Sequence, residues 1–267
     1  MAKQQLDPLS QAAKTVPNKI AIHTSTKTYT YKELHQTICA VATTIKTTIK
    51  TPKIALNIAN PLDLLICIFA CQYAKKHCFL LNHHLNTFNT SITKQFKILS
   101  VLTTCPKKST DYDPNLSTAA HITINIFTSG SSAQPKCVVH TAKQFIESAM
   151  AVSTATTFTQ TCCWLICLPL FHVAGLACVF RTFCKMSTLI LDNAKNTSVP
   201  YTHISLVNQQ LKTYLDHPSP SSLSCILVGG SALDPKLQQK ALQKKFPLYV
   251  SYGCTETASA ITIGHIT

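Results

Sequence analysis

Residues 122–139 combine a strand pattern with residue types that bind phosphate. Apolar and polar residues alternate from Ile122 to Phe127, which predicts a half-buried strand. Thr-Ser-Gly-Ser-Ser-Ala follows at 128–133, and Lys136 comes soon after. Backbone N–H groups, hydroxyls and a lysine could together hold phosphates, although a Ser/Gly-rich stretch is equally typical of a plain hairpin turn. The segment is not a P-loop, because the second glycine is missing and Cys137 follows the lysine.

Three later segments carry further candidate residues, and each also has an ordinary structural explanation. His172 follows a proline-bearing turn and could line a substrate entrance or pack within its loop. Gly229 and Gly230 follow an apolar run and could admit a flat ligand against the backbone, or form a tight turn. Glu256, between two threonines and near Tyr252, could bind Mg²⁺ or be a solvated carboxylate.

The glycine count links these four segments. The chain contains only 6 glycines, which is about a third of the usual number for this length. A chain so poor in glycine is expected to keep it where the backbone geometry demands it. Only Gly264 lies outside the four segments; the others are Gly130, Gly175, Gly229, Gly230 and Gly253. We therefore treat the four segments as one predicted site.

The elements that must position this site alternate along the chain. Repeated strand–helix units predict an α/β fold with layered, largely parallel sheets and helices on their faces. Ligands on such sheets bind in loops beyond the carboxyl ends of strands, which predicts site loops at 128–136, 169–175, 229–234 and 252–257. The predicted strands are 20–22, 27–30, 53–58, 78–81, 98–102, 122–127, 163–168, 188–191, 203–205, 224–228, 248–251 and 260–263, and the predicted helices are 31–49, 61–74, 87–97, 142–154, 176–184, 207–215 and 235–245.

Composition indicates a folded, basic chain with free thiols. Hydrophobic residues make up 46% of the 267 residues and charged residues 13%, with a formal net charge of +14. Arg181 is the only arginine, and the lysines are scattered, which argues against nucleic-acid recognition because base and phosphate contacts favour arginine. The 13 cysteines include no CxxC pair, which argues against a cysteine-based metal site and favours a reducing, cytoplasmic location.

The uncharged stretch 162–180 approaches the length of a membrane span. Pro169, His172 and Gly175 interrupt its middle, so a strand, a loop and a helix explain it better than a spanning helix. The N-terminus shows no signal-peptide pattern. We therefore predict no membrane span.

Together the four segments resemble the adenylate-forming family of acyl-CoA synthetases, aryl-CoA ligases, luciferases and peptide-synthetase adenylation domains. Phe-Thr-Ser-Gly-Ser-Ser-Ala-Gln-Pro-Lys at 127–136 resembles the phosphate loop of the family, and Tyr-Gly-Cys-Thr-Glu-Thr at 252–257 resembles its tyrosine-glycine-x-threonine-glutamate signature. The segments 169–176, 202–207 and 209–211 are most similar to o-succinylbenzoate–CoA ligases of menaquinone synthesis.

The resemblance implies the N-terminal domain of the adenylate-forming fold and a two-step reaction. A carboxylate substrate attacks the α-phosphate of ATP to give an acyl-adenylate and pyrophosphate, and the thiol of CoA then displaces AMP. By resemblance Thr255 contacts the α-phosphate, Glu256 binds Mg²⁺ and His172 borders the acyl pocket near the CoA tunnel. The implied phosphate-binding residues are Thr128, Ser129, Gly130, Ser131, Ser132 and Lys136, and the implied adenine-side residues are Gly229, Gly230, Ser231, Tyr252 and Gly253.

The sequence departs from the family pattern in two ways. Ala133 and Cys137 replace glycines that are usual in the phosphate loop. The ribose-binding aspartate, the hinge and the small C-terminal domain with its catalytic lysine have no counterpart within 1–267. The resemblance therefore implies an incomplete N-terminal (AMP-binding) domain, with 1–120 and 121–267 as possible subdomains and a separate C-terminal chain as a possible partner.

Two alternatives remain open from the sequence. One is a non-catalytic remnant of such a ligase that still binds nucleotide or binds nothing, which the altered glycines favour. The other is a protein that binds anionic surfaces, which only the positive charge supports.

Overall fold

A computed structural model describes residues 7–118, 121–129, 135–191 and 197–267. The chain divides into two compact units, each built from more than one stretch of sequence. The first unit comprises Met1–Lys19, Thr30–Phe145 and Leu170–His172, and the second comprises Ile20–Tyr29, Ile146–Pro169 and Val173–Thr267.

The first unit is a five-stranded sheet with helices. Its elements are α1 (Pro8–Thr15), α2 (Tyr31–Thr48), β3 (Lys53–Leu56), α3 (Pro61–Tyr73), β4 (His77–Leu80), α4 (Asn86–Gln95), β5 (Ser100–Leu102), β6 (Thr123–Ser129) and β7 (Pro135–Thr141). The strand order is β5-β3-β4-β6-β7, parallel except for the antiparallel pair β6–β7. Helix α5 (Ala142–Ala155) follows β7.

Helix starts in the first unit follow standard capping chemistry. Thr30 and Glu33 form a capping box at the start of α2, in which each side chain pairs with the backbone N–H of the other residue. Asn60 caps α3 and Asp7 caps α1, and each helix has proline at its first position. These local signals explain why the predicted helices 31–49 and 61–74 are confirmed nearly to the residue.

The second unit is an eight-stranded sheet. Its elements are β1 (Ile20–Thr24), β2 (Thr28–Thr30), β8 (Cys163–Ile166), α6 (Val173–Cys184), β9 (Thr188–Leu191), β10 (His203–Leu206), α7 (Asn208–Tyr214), β11 (Cys225–Val228), α8 (Pro235–Gln243), β12 (Leu248–Cys254) and β13 (Ser259–Ile266). The order is β13-β12-β11-β10-β8-β9-β1-β2, with β12 to β1 parallel and β13 antiparallel to β12. Alternating strand residues such as Ile204 and Leu206 pack against Leu211 of α7 and Ala241 of α8.

The predicted α/β architecture with layered, largely parallel sheets is confirmed. Two predicted details differ. Strand β12 continues through Tyr252 and Gly253 to Cys254, because β13 pairs with it along that length. Strand β6 likewise continues to Ser129, because β7 pairs with it. Since β6 also pairs with β4, the hairpin lies in the first unit.

The stretch 162–180 contains β8 and the 12-residue helix α6. Within the described ranges, no helix combines the length and apolar character needed to cross a membrane.

His203 is a buried histidine held in its neutral form. Its Nε2 lies 2.9 Å from the carbonyl oxygen of Thr156, and its Nδ1 lies 2.8 Å from the hydroxyl of Thr202. A neutral ring that donates from Nε2 and accepts at Nδ1 satisfies both partners. Burial lowers the pKa of His203 below its ordinary value of 6.5.

This burial predicts a loss of stability in acid. The unfolded chain binds a proton at His203 below about pH 6.5, whereas the folded chain does so only at lower pH, so the free energy of unfolding falls as the pH drops through this window. His203→Gln keeps an N–H donor but does not titrate. We expect the variant to lose less unfolding free energy than the unmodified chain between about pH 7.5 and about pH 5.5 in urea titrations. The exposed His265→Gln is the control, and equal losses in all three proteins would contradict the prediction.

Gly175 sets the close contact between α6 and the loop before it. A Cβ built on Gly175 would collide with the backbone carbonyl of Pro169. A Cβ built on Gly264, in β13, would meet nothing within 4 Å. The close approach of the Pro169 backbone therefore requires glycine at position 175, whereas no such contact requires glycine at position 264.

We expect Gly175→Ala to lower the free energy of unfolding by about 1–3 kcal/mol, because the added methyl group must push the Pro169 backbone away. Gly264→Ala is the matched control and should change it by less than about 1 kcal/mol, because it adds no clash. Both values come from urea titrations. A cost for Gly264→Ala equal to or above that for Gly175→Ala would show that the contact with Pro169 is not what requires glycine.

Candidate functional site

Two of the predicted phosphate-binding residues, Thr128 and Lys136, lie near the loop end of the β6–β7 hairpin in the first unit. Thr128 and Lys136 are directly opposite each other in the antiparallel ladder, so their side chains project from the same face of the sheet. The neighbouring pair is Phe127 and Cys137. Gly130, Ser131, Ser132 and Ala133 lie outside the described residues, as does the side chain of Ser129.

Phe127 and Cys137 anchor this hairpin in a hydrophobic core. The ring of Phe127 lies 6.2 Å from that of Phe79 and 5.2 Å from that of Phe96. Cys137 packs against the same core, and burial raises the pKa of its thiol to about 11. The cysteine that replaces a family glycine is therefore a protonated packing residue at neutral pH. It fixes the part of the hairpin next to Thr128 and Lys136.

His172 is an exposed residue of the first unit. The ring of Phe171 lies 4.7 Å from that of His172 and 5.8 Å from that of His83. Desolvation by neighbouring atoms lowers the pKa of His172 below its ordinary value even though the residue is exposed. The ring of His84 lies 3.9 Å from that of His83. The sequence analysis missed this pair of adjacent histidines, which the residue type alone could have indicated.

The other predicted loops lie at one edge of the sheet of the second unit. Strands β8, β10, β11 and β12 are parallel, so their carboxyl ends point the same way. Residues 229–231 follow β11, and Tyr252 to Glu256 end β12 and follow it. The structure thereby brings the predicted adenine-side and magnesium-binding residues to adjacent strand ends, as the sequence predicted.

The Gly229–Gly230–Ser231 loop is fixed by close packing and one asparagine. A Cβ on Gly229 would meet the hydroxyl of Ser251 at 2.5 Å, and Gly230 has a φ of +87°, which favours glycine. The side-chain amide of Asn208 donates to the hydroxyl of Ser231 (3.0 Å) and to the carbonyl of Ala232 (2.6 Å).

Asn208 is a site residue that the sequence analysis missed. Its Oδ1 atom is buried and has no hydrogen-bond partner, so it offers an acceptor beside the glycine loop. Asn208 is the first residue of α7, directly after the N-cap residue Val207. Nothing in its type or its position in the sequence distinguishes it from an ordinary residue at a helix start.

The segment after Tyr252 forms a tight, strained turn. Tyr252 is 74% exposed on β12. A short 3₁₀ turn, Thr255–Thr257, carries the exposed Glu256. Ala258 (φ 53°) and Ser259 (φ 106°) then have consecutive positive φ values, which side chains rarely adopt. Strain held in consecutive non-glycine residues is characteristic of functional turns.

Hydrogen bonds hold this turn between β12 and β13. The hydroxyl of Thr257 lies 3.0 Å from the carbonyl of Cys254 and 2.7 Å from that of Ser259, and it accepts from the backbone N–H of Cys254 at 3.1 Å. A Cβ on Gly253 would collide with the backbone of Ser259. Gly253 is thus required for the close approach of the two strands, which orients Thr255 and Glu256.

Arg181 is a buried cation attached to the same turn. It is 1% exposed on α6, and its Nη2 donates to the hydroxyl of Ser259 at 3.0 Å. Its Nη1 faces the sulfur of Cys178 at 3.6 Å, and the guanidinium lies 5.1 Å from the ring of Trp164. Burial lowers the pKa of Arg181 below its ordinary value, and its Nε has no hydrogen-bond partner.

These contacts leave Arg181 without an acidic partner in the described part of the chain. A buried guanidinium of this kind is costly unless an anion approaches it. The sequence signal was available, since a single arginine stands inside an apolar helix. The sequence analysis used it only to argue against nucleic-acid binding.

The donor set fits magnesium only in one binding mode. No group of three or more His, Cys, Asp or Glu residues among those described could hold a metal ion. Mg²⁺ often binds through one carboxylate together with substrate phosphates and water. Glu256, exposed on its turn, fits that mode and does not fit an all-protein metal site.

Comparisons with known proteins give the same family. Residues 89–267 match the sequence model of the AMP-binding enzyme family. A 2-succinylbenzoate–CoA ligase of Staphylococcus epidermidis is 30% identical over 281 residues, which cover 94% of this chain and 58% of that enzyme. The chain thus spans somewhat over half the length of such relatives.

Two solved structures of o-succinylbenzoate CoA synthetase from Bacillus subtilis are similar to this chain, each with 25% identity over 97% of it. One, in complex with AMP, has a TM-score of 0.81 and is covered over 76% of its length. The other, a double mutant bound to the product analogue OSB-NCoA, has a TM-score of 0.82 and is covered over 61%. Because the family model matches most of the sequence, and because the fold and the order of the motifs agree with it, this chain belongs to the AMP-binding, adenylate-forming enzyme family.

Proposed function

We propose that this chain binds ATP and a carboxylic acid for activation as an acyl-adenylate, in a ligase that transfers the acyl group to CoA. The observation that carries the proposal is the placement of two motifs on adjacent parallel strands. Val228 of β11 pairs with Val250 of β12, so the Gly229–Ser231 loop and the Tyr252–Glu256 segment emerge side by side. The similarity to an AMP-bound synthetase supports the same ligand here.

The phosphate end of ATP is assigned to the hairpin of the first unit. Lys136 would supply a positive charge and Thr128 a hydroxyl from the opposite strand. Ser129, Gly130, Ser131 and Ser132 would add backbone N–H and hydroxyl donors. Cys137, which stands where the family usually has glycine, stabilises the hairpin through packing. The replacement therefore does not remove the hydrogen-bond donors for phosphate.

The adenylate end is assigned to the second unit. Gly229, Gly230 and Ser231 would border the adenine, with the exposed ring of Tyr252 stacked on it. The free acceptor of Asn208 lies where the loop could receive an N–H of the base. Gly253, through its close contact with the Ser259 backbone, would position Thr255 for contact with the α-phosphate.

Magnesium would enter with the nucleotide. Glu256 is the carboxylate that would bind it, and the ion would neutralise charge on the leaving pyrophosphate. Hydrogen bonds of Thr257 to the carbonyls of Cys254 and Ser259 fix the backbone of the turn that carries Glu256. Fixed charges of this kind stabilise a transition state without reorganisation at the moment of reaction.

The acid is proposed to carry a second carboxylate, as o-succinylbenzoate does. Arg181 is buried, lacks an acidic partner and is tied through Ser259 to the catalytic turn. A second carboxylate on the substrate would provide the missing counter-charge. His172 is assigned to the acyl pocket. The names of the similar ligases support this substrate class.

The CoA step and the complete reaction are proposed for the assembled ligase. The chain covers 58% of the length of the similar Staphylococcus epidermidis enzyme. We propose that turnover also requires the C-terminal part that this family carries, with its catalytic lysine. The test below therefore separates binding from turnover.

Binding tests the nucleotide site directly. In calorimetric titrations we expect a non-hydrolysable ATP analogue with Mg²⁺ to bind saturably, and an o-succinylbenzoyl sulfamoyl-adenosine, which mimics the acyl-adenylate, to bind with micromolar affinity or better. Lys136→Ala and Glu256→Ala should each weaken binding of the ATP analogue with Mg²⁺ by about tenfold or more, because each removes a charge that faces its phosphates or the metal. Lys32→Ala and Glu147→Ala, which remove exposed or half-exposed charges on α2 and α5, are the matched controls and should leave the affinity unchanged. Binding that none of the four variants weakens would contradict the proposed site.

Turnover is tested by adding the C-terminal part of the Staphylococcus epidermidis ligase as a separate chain. Pyrophosphate release from ATP that requires both o-succinylbenzoate and the added part would support the ligase. Tight binding of the mimic with no release under any of these conditions would instead identify a nucleotide-binding chain without catalytic activity.

Arg181 tests the substrate class. We compare the o-succinylbenzoyl mimic with a benzoyl mimic, which lacks the second carboxylate. Arg181→Met should reduce the preference for the dicarboxylate by about tenfold, because it removes the cation but keeps the volume. The free energy of unfolding should stay within about 1 kcal/mol, since removal of a buried charge offsets the lost hydrogen bonds. An unchanged preference would exclude Arg181 from acid recognition.

A further inference from the structure

A cavity lies along α7 in the second unit. Its volume is about 540 Å³, which is within the range of sites for drug-sized molecules. One end is closed at the carboxyl end of β8, where the side-chain amide of Gln210 donates to the carbonyl of Cys167 at 2.8 Å. The other end reaches Pro218 and Pro220, beyond the C-terminus of α7. The cavity therefore extends away from the strand ends that carry the glycine loop and Glu256.

The connection between β9 and β10 explains why this space is open. Helices α6, α7 and α8 each connect neighbouring parallel strands of the sheet. The connection from β9 to β10 comprises only residues 192–202, and its described part, 197–202, contains no helix. A right-handed crossover from β9 to β10 lies on the same face as α7. The place beside α7 that a crossover helix commonly fills is therefore free of one in this part of the chain.

The cavity has an apolar floor and a polar, uncharged flank. Leu206 and Tyr201 are buried in its floor. Gln209, Thr213 and His217 follow one another at intervals of four residues, so they lie along one side of α7 and its extension. Among the described residues that line the cavity, none is Asp, Glu, Lys or Arg. In a chain with a net charge of +14, this described lining is therefore unusually poor in charge.

A pair of tyrosines supplies a directed hydrogen-bond donor. The hydroxyls of Tyr201 and Tyr214 lie 2.8 Å apart, both in the cavity lining. In such a pair one hydroxyl donates to the other, so the O–H of the acceptor is left for another partner. Burial of Tyr201 makes an unused donor costly. A ligand oxygen inside the cavity would accept this hydrogen.

We propose that this cavity binds a flat, uncharged aromatic molecule of about two fused rings that carries a hydroxyl or carbonyl oxygen, separately from the adenylate site. The lining from Gln209 to His217 spans about 12 Å at the helical rise, which matches such a molecule. Aromatic and proline faces pack on flat rings, and the tyrosine pair fixes the ring through its oxygen. No charged side chain among the described lining residues would pair with a carboxylate or phosphate, which favours an uncharged ligand.

The probe for this site is 2-naphthol, compared with naphthalene and 2-naphthoate. The full chain is titrated with each by intrinsic ligand fluorescence up to about 0.2 mM, near the solubility of naphthalene. We expect 2-naphthol to bind at least about fivefold more tightly than either comparison compound. Saturable binding of 2-naphthoate in preference to 2-naphthol would overturn the proposal, because it would indicate an anion site.

Substitutions place the binding in the cavity. Thr213→Trp fills the space and should weaken 2-naphthol binding by about tenfold or more. Lys212→Trp adds the same side chain at the neighbouring exposed position, outside the lining, and should leave binding unchanged. Equal binding by both variants, or no saturable binding by the unmodified chain, would overturn the proposal.

The double variant Tyr201→Phe with Tyr214→Phe tests the donor. It keeps the aromatic walls and removes both hydroxyls. We expect it to bind 2-naphthol and naphthalene with equal affinity, because the oxygen no longer has a partner. A retained preference for 2-naphthol would overturn the role of the tyrosine pair.

Discussion

The close packing around two glycines at the carboxyl edge of the second sheet is the constraint on which the site depends. Gly229 lies against Ser251, and Gly253 lies against Ser259, with no room for a Cβ at either contact. The glycine contacts fix the end of β11 against β12 and the end of β12 against β13, which are the two strand ends that carry the motifs. Four of the five glycines in the described ranges have a geometric reason of this kind or a positive φ, and only Gly264 has none. In this glycine-poor chain, most of the described glycines therefore lie where close packing or a positive φ favours them.

The sequence predicted the fold well because its signals are local. Capping residues, prolines at helix starts and hydrophobic periods fix most helices within one or two residues. The strand ends near the site were harder, because β12 and β6 are extended by partners that come later in the chain. Pairing of that kind depends on tertiary contacts rather than on local pattern. Because β6 pairs with β4, the β6–β7 hairpin belongs to the first unit, although it follows residue 120 in the sequence.

The candidate site was predicted unevenly for a physical reason. Motif residues such as Gly229, Tyr252 and Glu256 are recognisable because their type and order are unusual. Asn208 is not recognisable, because its role follows from an unpartnered oxygen that only the structure reveals. Arg181 lies between these cases, since its type was noticed but its burial and its link to Ser259 were not. When the role of a residue follows from its position and not from its type, the residue can be recognised only in the structure.

The charges in the second unit suggest how the binding of one ligand would affect the binding of another. Glu256 is a single carboxylate on a strained turn, so it holds a metal weakly unless phosphates complete the coordination. Arg181 is a buried cation joined to that turn by Ser259. An anion that reaches Arg181 would therefore act on the same residues, Ala258 and Ser259, whose positive φ values orient Glu256. Nucleotide with its metal and the acid would then bind at two ends of one short turn, and occupancy of either end would stabilise the conformation that the other requires.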